Sequence, residues 1–225
     1  MLKKEHRQGF PKPRGRKTDP VVRAWFMVLV LISVVGTLMY IDYQRRALHD
    51  PFETPPPGRF AGNPNGELKI TQFLDFKSPE CGLGQRLIKE YMAKRPDEIF
   101  LQTRYFPQDE DSISAAVYAE CANHQKAFWR FTDILFQSQS RWVNLPGEEA
   151  VLKAIVQEMG LDMKAFNQCV ATTDPASDIL VDRAYGESLF VRSTPSYFLN
   201  GKLIVGVDAL RKAMRIWGQQ VTDDD

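Results

Sequence analysis

The residues of this chain best suited to covalent chemistry are its three cysteines, Cys81, Cys121 and Cys169. Three cysteines are too few for a disulfide-dense scaffold. The three histidines are scattered along the chain and do not cluster with cysteine at a metal-ligand spacing. The sequence therefore predicts no metal site and no cofactor, and it directs attention to sulfur chemistry.

Cys81 ends the tetrapeptide Ser78-Pro79-Glu80-Cys81, whose residue types suit the start of a helix. Serine is a favoured N-cap, proline is tolerated at the first helical position, and a carboxylate is stabilised in the first turn. On this interpretation Ser78 is only a cap. The position also bears on Cys81, because a helix N-terminus lowers the pKa of a thiol whereas the charge of Glu80 raises it.

The elements that must position this tetrapeptide form a strand-helix-strand unit, then several helices, a hairpin and a last helix. Short β-branched and aromatic runs predict the strands, apolar residues at helical spacing predict the helices, and Asn200-Gly201 predicts a tight hairpin turn. The predicted strands are 67–74, 99–105, 196–199 and 203–205, and the predicted helices after the first are 112–139, 148–159, 163–171, 174–189 and 208–217. This order predicts an α/β thioredoxin fold with an inserted helical subdomain.

Four segments in this order resemble the DsbA family of thioredoxin-like proteins. Residues 62–82 resemble the family's first strand and its Cys-Pro-x-Cys helix start, and 192–206 resemble its Thr-cis-Pro strand and hairpin. Residues 115–139 and 160–170 resemble inserted helices. The chain is therefore identified as a DsbA-family protein whose motif reads Ser-Pro-Glu-Cys.

The resemblance implies a lost reaction. In the family, the first motif cysteine attacks disulfides as a thiolate, and Ser78 occupies its place. Serine cannot form a disulfide, so a dithiol-disulfide cycle is unavailable at this site. Cys81 matches the second motif cysteine, which leaves two alternatives open: an inert, half-buried thiol, or a monothiol that reacts slowly or links to another protein.

The resemblance also implies a peptide-binding region and a structural disulfide. Thr194 and Pro195 match the family's cis-proline and, with Pro79 and Glu80, are expected to hold an extended peptide; the alternative is an ordinary trans proline at a strand start. Cys121 and Cys169 fall on inserted helices, where some relatives carry a disulfide. Two separate buried cysteines are the alternative.

The N-terminal part of the chain has the pattern of a membrane anchor. Residues 1–23 carry eight Lys/Arg against two Asp/Glu, a charge of +6, which leaves −5 for the remainder of a chain whose total is +1. That remainder does not favour nucleic-acid binding. Residues 24–41 are uncharged and long enough to cross a bilayer, and the preceding positive charge predicts a cytoplasmic N-terminus. A cleaved signal peptide and a buried core helix are the alternatives.

The predicted organisation is therefore a basic cytoplasmic head (1–23), a transmembrane helix (24–41), a Pro-rich linker (42–61), the DsbA-like domain (62–219) and an acidic tail (220–225). This places the domain outside a bacterial cytoplasmic membrane. Two functions compete: a non-catalytic module that binds an exported peptide or protein partner near Ser78 and Pro195, and a monothiol oxidoreductase that uses Cys81.

Overall fold

The computed structural model describes residues 20–47, 57–172 and 174–223. The chain divides into two units, Met1–Leu48 and His49–Asp225. The first unit contains helix α1 (Pro20–Ala47), whose large apolar side chains are exposed. Within the described ranges, the segment Pro20–Tyr40 is the one helical stretch that is long and apolar enough to cross a membrane, judged by length and composition. The predicted span 24–41 falls within α1.

The second unit is built on a five-stranded mixed sheet. The strands are β1 (Phe60–Gly62), β2 (Leu68–Leu74), β3 (Ile99–Tyr105), β4 (Ser196–Leu199) and β5 (Lys202–Val205). The strand order across the sheet is β1-β3-β2-β4-β5. Strand β2 runs parallel to β3, and the other neighbouring strands are antiparallel.

Helices cover the sheet and form the insertion. Helix α2 (Pro79–Lys94) connects β2 to β3, and α8 (Val207–Asp223) follows β5. Among the described residues between β3 and β4 lie a short 3-10 helix (Gln139–Arg141) and five α-helices: α3 (Ile113–His124), α4 (Phe128–Gln137), α5 (Glu148–Glu158), α6 (Met163–Val170) and α7 (Asp174–Ser188). The predicted thioredoxin fold with an inserted helical subdomain is confirmed.

Three apolar clusters hold the unit together. One joins the sheet to α2 and α8 through Ile70, Ile88 and Met214. A second lies where α7 leads into β4 and includes Phe73 and Phe198. The largest fills the inserted subdomain and reaches Cys81 at the start of α2. Because Cys81 belongs to that cluster, helix α2 is packed directly against the insertion.

The prediction of one helix over 112–139 is wrong, because the chain turns between α3 and α4. Lys126 has a positive φ of 59°, and the N–H of Ala127 bonds the carbonyl of Ala122 at 2.9 Å. This is the usual geometry of a helix C-terminus. The turn contains neither glycine nor proline, so composition did not indicate it.

The predicted linker (42–61) and acidic tail (220–225) also differ from the structure. Helix α1 extends to Ala47, β1 pairs antiparallel with β3, and α8 extends to Asp223. Arg59, placed in the linker by the sequence, is only 5% exposed. A strand of three residues depends on its pairing with β3 far along the chain, which the local proline-rich composition conceals. Residues 48–56 of the predicted linker lie outside the described residues.

Candidate functional site

The site begins where the chain passes from β2 into α2. Ser78 has extended backbone angles and caps the helix, with Pro79 in its first turn. Its side-chain oxygen accepts a hydrogen bond from the backbone N–H of Cys81 at 3.3 Å. Ser78 is half-buried, whereas Pro79 and Glu80 are exposed. The local sequence therefore starts the helix as predicted, and the serine hydroxyl is engaged as a cap.

The Cys81 thiol is enclosed. Its residue is 2% exposed, and its Sγ accepts a hydrogen bond from the N–H of Asp75 at 3.4 Å. Burial raises the pKa of Cys81 to about 11, and the charge of Asp75 adds to the rise, while hydrogen bonds with Ser78, Asp75 and Thr194 oppose it. Burial, and not the charge of Glu80, is thus the main cause of the raised pKa. Cys81 is a protonated thiol at neutral pH.

Two polar side chains that the sequence did not single out hold the loop before α2. Asp75 is buried, and its carboxylate accepts backbone N–H bonds from Lys77 at 2.8 Å and Gln108 at 2.9 Å. The amide of Gln139 donates to the carbonyls of Phe76 at 2.8 Å and Ser78 at 3.0 Å. Gln139 lies 61 residues from Ser78 in the chain, so no local pattern could have identified it.

Thr194 and Pro195 lie beside the start of α2, and the peptide bond between them is cis. Strand β4 follows at once and pairs with β2, the strand that leads into the site loop. The Thr194 side chain lies close enough to the Cys81 thiol to oppose the rise of its pKa. The structure thus brings Ser78, Cys81 and Thr194 together, with Pro79 and Glu80 on the exposed first turn next to them.

Tyr197 lies beneath the site helix and was not predicted from the sequence. A Cβ at Gly84 would lie 1.7 Å from the Tyr197 hydroxyl, so only glycine allows this close approach. Burial raises the pKa of Tyr197, and the charges of Cys81 and Glu80 add to the rise. Among the described residues, its buried hydroxyl has no hydrogen-bond partner. Gly84, a glycine inside helix α2, is the sequence signal that points to this contact.

The other two cysteines are bonded to each other in the structure. Cys121 on α3 and Cys169 on α6 form a disulfide across a separation of 48 residues, with a Cα–Cα distance of 5.7 Å. Cys81 is the free cysteine. Within the described ranges, no group of three or more His, Cys, Asp or Glu side chains is arranged to hold a metal ion.

Fold and site together define a thioredoxin-fold protein of the DsbA type, with a helix-start motif facing a cis-proline. A family model described as "Thioredoxin" matches residues 54–215. The chain therefore belongs to this thioredoxin family, and its predicted membership of the DsbA family is confirmed.

The chain is similar to several individual proteins. The probable disulfide bond formation protein D of Bacillus anthracis is 27% identical over 202 residues, covering 84% of this chain and 91% of that protein. Na(+)/H(+) antiporter NhaA 3 of Salinispora tropica is 23% identical over 186 residues, but the chain spans only 26% of its length. The crystal structure of Wolbachia pipientis alpha-DsbA1 shares the fold, with a TM-score of 0.63 and 21% identity over 77% of this chain and 98% of that one.

Proposed function

We propose that this protein is a membrane-tethered, extracytoplasmic member of the family that has no dithiol redox activity and binds an exported peptide or protein partner. The observation that carries the proposal is the pair formed by Ser78 and Cys81. A hydroxyl replaces the attacking thiolate, and the remaining thiol is buried, with a pKa raised to about 11. Disulfide exchange requires an accessible thiolate, and this site offers none.

Partner binding uses features that need no cysteine. Pro79 and Glu80 are exposed at the start of α2, and half-buried Thr194 lies across from them. Loops next to the ends of strands are held in position by the rigid sheet, and such loops are common binding elements. The partner contacts Pro79, Glu80 and Thr194 in an extended conformation, next to the buried Pro195.

The membrane part of the proposal rests on α1 and the charge around it. The Pro20–Tyr40 segment has the length and composition of a spanning helix. The +6 charge of residues 1–23 favours a cytoplasmic N-terminus in a bacterial inner membrane. The α/β domain then faces the periplasm or the cell exterior, where a disulfide such as Cys121–Cys169 persists.

The monothiol alternative uses Cys81 and is disfavoured by its 2% exposure. A monothiol enzyme must present its sulfur to the substrate, whereas Cys81 is directed into the cluster shared with the insertion. A reaction between Cys81 and a substrate would require the start of α2 to open.

Two assays on the full chain in lipid nanodiscs test the proposal. Oxidation of a reduced dithiol peptide should remain at background, and an array of immobilised extended peptides should be bound. Thr194→Arg, which places a large cation beside Ser78, should abolish array binding. The same substitution on the exposed face of α6, Gln168→Arg, is the control and should leave it unchanged. Strong dithiol turnover, or peptide binding insensitive to Thr194→Arg, contradicts the proposal.

A further inference from the structure

The end of α7 carries an aromatic side chain in an unfavourable place. Phe190 has a φ of 64°, in the left-handed region that glycine adopts most easily, and it is 72% exposed. Its N–H bonds the carbonyl of Glu187 at 3.1 Å, and the N–H of Val191 bonds that of Gly186 at 2.9 Å. This pair of hydrogen bonds defines a Schellman motif, and the residue at its left-handed position is usually glycine.

The fold itself does not explain a phenylalanine at this position. The ring is mostly exposed and buries little apolar surface. Its burial therefore contributes little free energy to offset the strain of the backbone. The same motif ends α3, where the left-handed residue is Lys126, with bonds from Lys126 to Asn123 at 2.8 Å and from Ala127 to Ala122 at 2.9 Å. There a long polar side chain extends into solvent. An exposed, strained aromatic therefore calls for a role outside the fold.

Arg192 stands next to this ring and contacts the end of α7. Its guanidinium lies 5.9 Å from the centre of the Phe190 ring and donates to the carbonyls of Glu187 at 3.0 Å and Val191 at 2.8 Å. Arg192 precedes Thr194 by two residues. Within the part of the chain that the structure describes, no carboxylate forms an ion pair with Arg192, so its charge is available to a ligand.

A shallow cleft of about 360 Å³ adjoins Arg192 and is lined by Phe106, Gln108, Arg183, Glu187 and Val191 as well. Its two arginines face one carboxylate, Glu187, which pairs with Arg183 at 3.3 Å. The cleft therefore has an excess of positive charge. Gln108 also connects it to the site loop, because its N–H bonds the carboxylate of Asp75.

We propose that Phe190 and Arg192 select the partner: they bind an exported polypeptide segment that carries an acidic side chain next to an apolar one. The apolar side chain packs on the Phe190 ring, and the carboxylate enters the cleft beside Arg192, where guanidinium and carboxylate can pair. This inference rests on the proposed function and names the partner's chemistry. Charge complementarity identifies the occupant as an acidic segment.

The test separates the effect on folding from the effect on binding. Phe190→Gly relieves the left-handed strain and should raise the thermal midpoint by roughly 2 to 4 °C, yet weaken binding to the peptide array at least about tenfold. Lys126→Gly is the matched control in the equivalent motif: it should raise the midpoint similarly and leave binding unchanged. Arg192→Gln should remove the preference for acidic peptides, and Arg192→Lys should retain part of it.

Each outcome on the full chain decides between the two proposals. If the parent binds no peptide on the array, the proposed function fails and the inference fails with it. If the parent binds peptides without an acidic preference, or if Phe190→Gly binds as tightly as Lys126→Gly, the inference alone is overturned and the proposed function stands. A loss of binding in both glycine variants likewise contradicts the inference, because a shared effect of the turn would then be responsible.

Discussion

The side chain of Ser78 is hydrogen-bonded to the backbone N–H of Cys81, with an O···N distance of 3.3 Å. Ser78 is therefore bonded to Cys81 through a hydrogen bond. In a redox-active relative, the residues at these two positions are cysteines that form a disulfide with each other. The hydroxyl supports the helix start, and the thiol is enclosed behind it. Under the proposed function, the contact retains the geometry of the motif without its electron transfer.

Ser78→Cys should create dithiol activity. The substitution is nearly isosteric and rebuilds Cys-Pro-Glu-Cys at the helix N-terminus, where the dipole lowers the pKa of the new thiol. The variant should oxidise a reduced dithiol peptide while the parent stays at background. Ser78→Ala serves as the control, since it removes the cap at a cost of about 1 kcal/mol and adds no activity. A folded but inactive Ser78→Cys protein would indicate that the surrounding site has also diverged.

Cys81 should react slowly with an alkylating reagent in the native protein. Burial raises its pKa from 9.0 to about 11, so the thiolate is scarce below pH 9. Labelling of the native chain should rise with pH through about 11, whereas the chain in denaturant should label readily near pH 9. Fast labelling of the native protein at neutral pH would favour the monothiol enzyme instead.

The raised pKa of Cys81 also predicts how stability depends on pH. Between pH 9 and about 11 the unfolded chain loses the thiol proton while the native protein keeps it. The unfolded state then binds fewer protons, so the free energy of unfolding falls as the pH rises through this window. Buried tyrosines act in the same direction, and the measurement is therefore the difference in slope between the parent and Cys81→Ala. Equal slopes would contradict the assigned pKa.

Arg59→Ala should destabilise the domain strongly, on the order of 3 kcal/mol, because it removes the arginine that pairs with buried Glu120 and leaves buried Asp182 with Arg104 alone. Arg59 pairs with Glu120 and Asp182, and all three side chains are at most 6% exposed. Chemical denaturation measures the change. Arg211→Ala is the matched control, since its pair with Asp208 is exposed and should contribute less than about 1 kcal/mol. If both substitutions lower the free energy of unfolding by the same small amount, residues 57–61 belong to the predicted linker and not to the folded domain.

Removing the disulfide by Cys121→Ala with Cys169→Ala should lower stability by about 4 kcal/mol, because the bond closes a loop of 48 residues. Cys81→Ala, which removes no crosslink, provides the comparison for a lost buried sulfur. Non-reducing peptide mapping of the parent should recover the Cys121–Cys169 bridge with Cys81 free. A bridge from Cys81 to either of the others would contradict the arrangement of α2 and the insertion.

The sequence by itself determined the class of fold, and its Ser-Pro-Glu-Cys motif led to the proposal that the first motif cysteine is lost. The Asn200-Gly201 turn, the apolar periodicities and the Ser78 helix start are local signals, and each depends on neighbours within a few residues. The residue types of the motif were enough to exclude a dithiol cycle, because a hydroxyl cannot form a disulfide whatever surrounds it.

Only the tertiary structure decided how the site is held and how accessible it is. The burial of Cys81, the anchoring of Ser78 by Gln139 and the pairing of β1 with β3 all join segments that are distant in the chain. Their energies come from packing and from hydrogen bonds that form once the fold closes, and no local pattern encodes them. The strained position of Phe190 belongs to the same class, since its φ depends on how α7 ends before β4 and its exposure depends on what packs nearby.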